Sequence, residues 1–558
     1  MRLTKTRVLG LWMGAVVLAG SVCAGTYYVS PDSASTDWAA AENIATPCTV
    51  QTAFDNAQAG DIVQFRGGVY VVPANTTGDW LSGYYAPNHS GTEDARIVFM
   101  AYPDERPVFD GTSGSYDKDG HGHGNFARIM SNTRYVGSGS KTYHEYITFD
   151  GFTFQCDGGL NEGKITLTGG DNGSTRPRVR GLIVQNCTFN GGTSDNAARV
   201  QIDGVWTGTG DNHEGLFISQ TTGLIIRNCR VFDYASANHN MNTSAIKTYH
   251  SDNMLIENCE VYDSSHGVYS KSNTDSLTVR YCYIHDNNVG FFAGTTGWWN
   301  DSNDHSKGYF VSENTDNVLL HNVFSNNTRG TISGFTQGGG DLDGFSAINN
   351  TIVATSGYTA SVGLGSGERQ LFYNNIIFGP KIDNDIGLLK WYCPNNNAQE
   401  VADGKPEHNF GLDACDHNQF GDLAGNFLIR VKKPDESTVS YPTMPSWQAS
   451  GVLTEGGNPG AGSLVSNPLF VNASGAMTQL SDFALQANSP CKGAGRGGVD
   501  MGANIALVGP QDFPMPNRPP VLAPIGNRSV PAGQTLQITV QATDADGDAL
   551  QYSAAGGQ

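Results

Sequence analysis

An Asn-Cys pair recurs along the middle of this chain, each time after an apolar run and before alternating residues. It stands in GLIVQNCTF (Asn186, Cys187), GLIIRNCRV (Asn228, Cys229) and MLIENCEVY (Asn258, Cys259), and LTVRYCYI carries Tyr281-Cys282 in the same frame. If other small or apolar residues can replace the cysteine, the series extends to Asp150 in FDGFTF, Asn322 in HNVFS, Asn350 in NNTIV and Asn375 in NNIIF. Successive slots from Asp150 are 36, 42, 30, 23, 41, 28 and 25 residues apart. The shortest steps fit one coil of three short strands and three turns, and the longer ones add loops. A period of two holds inside each unit and helical spacing is absent. Asparagine tolerates the left-handed backbone of a tight corner, and its amide can bond the asparagine above and below. The reading is all-β: a right-handed parallel β-helix with coils stacked at about 4.8 Å. Its hand follows from the chirality of parallel crossovers. Asn186, Asn228, Asn258, Asn322, Asn350 and Asn375 should form one column at one corner.

The length of 558 residues alone would suggest about three or four domains, and the repeat replaces them with one long solenoid. Seventy glycines and 15% charged residues fit many tight turns and short strands. A formal charge of −20 argues against nucleic acid and anionic membranes as partners, but not against an anionic substrate in a local basic groove. Arg2, Lys5 and Arg7 precede an apolar stretch that runs to Val22, and Val22-Cys23-Ala24 suits signal peptidase. Residues 1–24 are therefore expected to be a signal peptide and the protein to be exported, extracellular or periplasmic. No later segment has the length of a membrane span.

Ten cysteines in an exported chain raise the question of disulfides. In the coil reading Cys187, Cys229, Cys259 and Cys282 become an inward stack of free thiols, packing as small hydrophobes. Cys393 and Cys415 fall in a Gly/Asn/Asp-rich stretch and are the pair expected to be bridged. Near the N-terminus, TVQTAFDNAQAGD should form an amphipathic helix ending near Gly60. Val50, Ala53, Phe54 and Ala57 would then close the open end of the first coil.

The opening AGDIVQFRGGVY and SGTEDARIVFMAYPDERPVFDG, and the closing NPLFVN, DFALQANSPCKGAG and VDMGA, resemble secreted right-handed β-helix proteins of the polysaccharide-lyase type. The resemblance runs from about Gly25 to Ala503 and implies the fold more strongly than any activity. The solenoid domain is expected over 25–508, a proline-rich linker over 509–520, and an incomplete β-sandwich-like segment over 521–558. This last stretch resembles the start of cadherin-like or immunoglobulin-like modules, whose calcium-binding DxDxD its Asp544, Asp546 and Asp548 resemble.

Two lysines draw attention to one face. Aligning SAIK with GVYSK puts Lys247 and Lys271 at nearly equivalent positions one coil apart, with Ser244 and Ile246 inward and Lys247 exposed outward. A lysine whose pKa is lowered by a neighbouring cation or by desolvation is a suitable base for β-elimination on a uronic acid, a role expected of Lys247 with Lys271 as its neighbouring cation. The pattern around SAIK resembles the family-nine pectate lyases. That resemblance implies a lysine base and a calcium ion held by paired aspartates on the next coil. Ser264, Ser265 and His266 replace those aspartates and leave only Asp263, which puts calcium in doubt. Tyr249 and His250 are further acid or base candidates. His239, His266, Arg280, Trp298 and Trp299 are candidate substrate contacts, the tryptophans by stacking on sugar rings. Asp203, Asp211, Glu214 and Asp263 are the candidate metal ligands. Singly, each of these residues is more often an ordinary surface group.

The function expected is therefore that of a monomeric, exported polysaccharide lyase acting on an acidic polymer. Two alternatives stay open: a glycoside hydrolase, which would want paired aspartates on neighbouring coils, and a non-catalytic carbohydrate-binding or adhesive solenoid, which needs only the fold and an aromatic surface.

Overall fold

In the computed structural model of the chain, the described residues are 24–72, 83–111, 128–137, 140–155, 165–170, 178–192, 200–202, 205–207, 214–235, 243–271, 273–296, 314–337, 342–354, 362–365, 367–379, 389–391, 410–421, 428–432, 437–453, 456–473, 477–511, 521–522, 529 and 542–543. They wind into a parallel β-helix of three long sheets, twelve strands each among the described residues. Sheet A runs from Thr26–Val29 to Phe410–Asp416, sheet B from Gly68–Val71 to Leu464–Val465, and sheet C from Gly83–Tyr85 to Thr438–Tyr441. One coil shows the path: Ser244–Tyr249 in sheet C, Leu255–Glu257 in sheet A, Glu260–Tyr262 in sheet B, then His266–Lys271 back in sheet C. Strands this short persist because each pairs in register with the coils before and after it.

The corner between sheets A and B explains the repeated motif. Asn186, Asn228, Asn258, Tyr281, His321, Asn349, Asn374 and His417 each adopt left-handed backbone there, with φ of 48–59°. The next residue in each coil is buried: Cys187, Cys229, Cys259, Cys282, Asn322, Asn350, Asn375 and Asn418. Asn322, Asn350 and Asn375 thus stand one position beyond Asn186, Asn228 and Asn258. The single column expected from sequence is two adjacent columns. Asp150 is displaced the other way, in register with Gln185, and Gly151 turns the corner at φ 77°.

The inner column has two chemistries. The thiols of Cys187, Cys229, Cys259 and Cys282 are free and contact backbone carbonyls two residues back at 3.1–3.3 Å. Below them each asparagine Oδ1 accepts the amide N–H of the residue above, from Cys282 to Asn322 at 2.9 Å and from Asn322 to Asn350 at 3.0 Å. Cys415, expected in a disulfide, is a free buried thiol inside sheet A opposite Phe372. Cys393 lies outside the described residues.

The capping helix spans Val50–Asn56, N-capped by the Thr49 side chain, so it ends a turn before Gly60. Val50, Ala53, Phe54 and Ala57 are all buried, and Phe54 stacks on Phe99 at 4.3 Å. At the other end residues 467–473 and 477–511 return along sheet B, where Phe470, Phe483 and Met501 join Val323, Ile376 and Phe378 in a second core. This strap hydrogen-bonds to the corner column: Arg496 N–H donates to Asn374 Oδ1, Asn349 Nδ2 to the Asp500 carbonyl, and Gln511 N–H to Asn228 Oδ1. Contact with the solenoid therefore continues through Gln511, past the boundary expected at 508. Among the described residues no helix is long and apolar enough to cross a membrane.

Candidate active site

Sheet C carries the site. Ile246 belongs to the core in register with Leu216, Val268 and Phe291, while Lys247 lies in the outward column with Phe217, Tyr269 and Phe292. Period-two alternation thus places the lysine as the sequence suggests, but its exposure is 0%. The Lys247 ammonium pairs with the buried carboxylate of Glu214. Glu214, Ser244 and His266 share one row, so Ser244 aligns with these groups and Ala245 joins Ile246 in the core. The register also separates the two lysines. Lys247 is opposite Tyr269, which leaves Lys271 beside Tyr249, two residues further along the strand.

Lys271 is half-buried, and its ammonium sits 4.9 Å from the Tyr249 ring centroid and 5.6 Å from that of Tyr269. Burial pushes its pKa down to about 7, and the charge of Lys247 adds to the effect while Glu214 opposes it. The amine brought near neutrality is Lys271, the lysine expected to be the neighbouring cation. Burial raises the Tyr249 hydroxyl well above its usual range, helped by Tyr269 and Glu214, and raises that of Tyr269 as well. His266 Nδ1 lies 2.9 Å from the Thr243 carbonyl, which assigns the proton to Nδ1. Its ring packs 5.5 Å from Tyr269 and 5.0 Å from Phe292. Gly294 follows Lys271 in register; a Cβ there would come within 2.8 Å of the Tyr269 ring.

Other expected site residues lie elsewhere. His250 turns the corner after sheet C with φ 42°, and its Nδ1 accepts from Asn273 Nδ2 at 2.9 Å. Burial, with help from Arg178, pushes it down to about 4, so it is neutral at pH 7. Arg280 is in sheet A, bound through Nε and Nη2 to Glu257 at 2.9 and 2.6 Å. Asp263 stands at the corner after sheet B, where burial and then Asp286 raise its pKa. Asp203, Asp211, His239, Trp298 and Trp299 lie outside the described residues. Phe217, Tyr269, Phe292 and Gly294 went unnoticed in the sequence, although the spacing that aligned the lysines also aligns GVYSK with GFFAG.

The calcium expectation meets the same geometry. Glu214 is committed to Lys247, Asp263 is on another corner, and among the described residues no group of three or more His, Cys, Asp or Glu could hold a metal ion. Two of the four candidate ligands, Asp203 and Asp211, lie outside the described residues. What the described residues bring to one outward face is a half-buried amine against the rings of Tyr249 and Tyr269, together with the Lys247–Glu214 pair.

The family described as Right handed beta helix region matches residues 164–303 and 239–378. No curated protein matches the sequence. Among solved structures the chain is similar to the pectate lyase Pel9A, at 15% identity over 86% of this chain and 95% of that one, with a TM-score of 0.44. It is also similar to a rhamnogalacturonan lyase, at 15% identity over 65% and 84%, TM-score 0.41. PfbA, a surface adhesin of Streptococcus pneumoniae, matches at 13% identity over 69% and 87%, TM-score 0.37.

Proposed function

We propose that this protein is an exported polysaccharide lyase that cleaves a uronate-containing polymer by β-elimination on the outer face of sheet C. The observation that supports the reading is the placement of the Lys271 amine against the rings of Tyr249 and Tyr269, on the outward face that also carries Lys247, where burial pushes its pKa down. At neutral pH a large fraction of such an amine is free to accept a proton. Lys271 takes the proton from C5 of the uronate, the electron pair forms the C4–C5 double bond, and the C4–O bond breaks. The Tyr249 hydroxyl, kept protonated by its raised pKa, protonates the departing oxygen. No step is assigned to calcium.

The hydrolase alternative needs a second carboxylate. Among the described strands of sheet C, Glu214 is the one carboxylate, and it is paired with Lys247. The test is a panel of pectate, alginate and glycosaminoglycans, followed by ultraviolet absorbance of the conjugated product and by reducing ends. Absorbance rising together with reducing ends on at least one polymer is the expected outcome. Reducing ends without absorbance would mean hydrolysis, and binding without either would mean a non-catalytic solenoid.

A further inference from the structure

Asp150 is 3% exposed at the corner between sheets A and B, and two chains of amides converge on it. In one, the Arg227 guanidinium donates through Nε and Nη2 to Gln185 Oε1 at 2.8 and 2.6 Å, and Gln185 Nε2 donates to Asp150 Oδ2 at 2.6 Å. In the other, the Gln511 N–H at the end of the strap donates to Asn228 Oδ1 at 2.7 Å. Asn228 Nδ2 donates to Asn186 Oδ1 at 2.6 Å, and Asn186 Nδ2 to Asp150 Oδ1 at 2.7 Å. A guanidinium and a backbone N–H can only donate, and an ionised carboxylate can only accept. Both chains therefore run one way, and the orientation of every amide in them follows from its ends.

We propose that Asp150 anchors a latch on the strap: as an ionised acceptor it sets the direction of the corner amides and so holds Gln511, and a proton on it releases that end. A protonated Asp150 carries a donor where Gln185 and Asn186 both offer donors. Gln185 is held as it is, because Arg227 binds its oxygen. The Asn186 and Asn228 amides must turn instead, which sets Asn228 Nδ2 against the Gln511 N–H. A backbone N–H cannot reverse, so the break falls there, at the half-buried end of the chain and not beside the buried Asp150. Burial raises the Asp150 pKa, while Gln185, Asn186 and then Arg227 lower it. Arg227 is the charged group that acts on it, and the residue in register on the coil before is Met100. In the released form the Asn186 oxygen accepts the Asp150 proton, so that form has the higher pKa. The latch is therefore complete above the released-form pKa and is lost as pH falls through the latched-form value. Gly509 stays in place, because its N–H donates separately to the Tyr281 carbonyl at 2.8 Å. The latch is independent of the chemistry on sheet C.

Hydrogen exchange of the full chain, resolved at single amides by electron-transfer fragmentation, reads the latch at Gln511 with Gly509 as internal control. Asp150→Asn keeps the shape but replaces one acceptor oxygen with a donor. Protection at Gln511 should fall by about tenfold, with Gly509 unchanged. Asp150→Asn/Arg227→Met is the decisive variant. Without the guanidinium, Gln185 can turn its oxygen towards the new amide, whose own oxygen then accepts from Asn186, so Gln511 should recover its wild-type protection. Acidification of the wild-type protein, with exchange corrected for its intrinsic pH dependence, decides the matter even if a variant fails to fold: Gln511 should open before Gly509. Unchanged protection at Gln511 in Asp150→Asn, an equal loss at Gly509, or no recovery in the double variant overturns the proposal. So does acidified wild-type protein that opens both amides together or neither.

Discussion

Replacing Asn350 with alanine tests the inner column where its chemistry is most demanding. Asn350 is 0% exposed. Its Oδ1 accepts from the Asn322 N–H and from Asn322 Nδ2, both at 3.0 Å, and its Nδ2 donates to the Leu319 carbonyl at 2.9 Å and to Asn375 Oδ1 at 3.1 Å. Alanine removes all four bonds and leaves the Asn322 amide N–H without that acceptor in the core. A stranded buried donor costs about 1–3 kcal/mol, and each lost bond whose partner keeps another contact about 1 kcal/mol or less, so the loss should be about 3–5 kcal/mol. Cys259→Ala is the comparison. It occupies the same column, where its sulfur lies 3.3 Å from the Glu257 carbonyl and 4.0 Å from that of Ile226. Losing that one buried atom should cost about 1 kcal/mol. Urea unfolding of the full chain, with the slope checked for constancy, measures both. If the two variants fall within 1 kcal/mol of each other, the asparagine ladder is not the stronger half of the column and the reasoning fails.

Three further outcomes follow from the same structure. Phe54→Ala should cost about 3–5 kcal/mol by removing the ring that caps Phe99, and hydrogen exchange should rise first in Thr26–Val29 and Ile62–Phe65; protection unchanged in those strands would show that the helix does not cap the solenoid. Burial lowers the His285 pKa, but Asp286 and Glu260 together outweigh it, so its folded pKa is raised. The stability it adds is fully present below its unfolded pKa of about 6.5 and is lost as pH rises through the higher folded value, and His285→Gln should abolish that fall in a pH series of urea midpoints. A fall of equal size in the variant assigns it to another group. Cys187, Cys229, Cys259 and Cys282 should resist a thiol reagent in the native protein and react only on unfolding, because all four are buried; rapid native labelling of any of them contradicts the inward column.

How far the sequence could be read differs between fold and site. The coils were legible because GLIVQNCTF and its relatives combine a period of two with a residue suited to left-handed backbone. The offset of Asn322, Asn350 and Asn375 was not, since Asn349-Asn350 and Asn374-Asn375 offer two asparagines, one fit for the corner and one for the buried ladder. The strap ending at Gln511 was also hidden, because its partners Asn228, Asn349 and Asn374 are far away in sequence. At the site, alternation showed that Lys247 points outward. Its burial and its bond to Glu214 depend on packing between coils, which spacing within one strand does not report. The depressed amine of Lys271 has the same origin, in rings contributed by Tyr249 on one coil and Tyr269 on its own.

The central claim is that Lys271 removes a proton from a uronate, and Lys271→Arg tests it most directly. Arginine keeps the positive charge and the reach but cannot be deprotonated near neutral pH. If Lys271 is the base, the variant should bind the cleaved polymer about as well as the wild-type protein and lose about 10²–10⁴-fold in the rate of unsaturated product formation. Full activity in Lys271→Arg would contradict the account and move the search for the base to other groups on the face of sheet C.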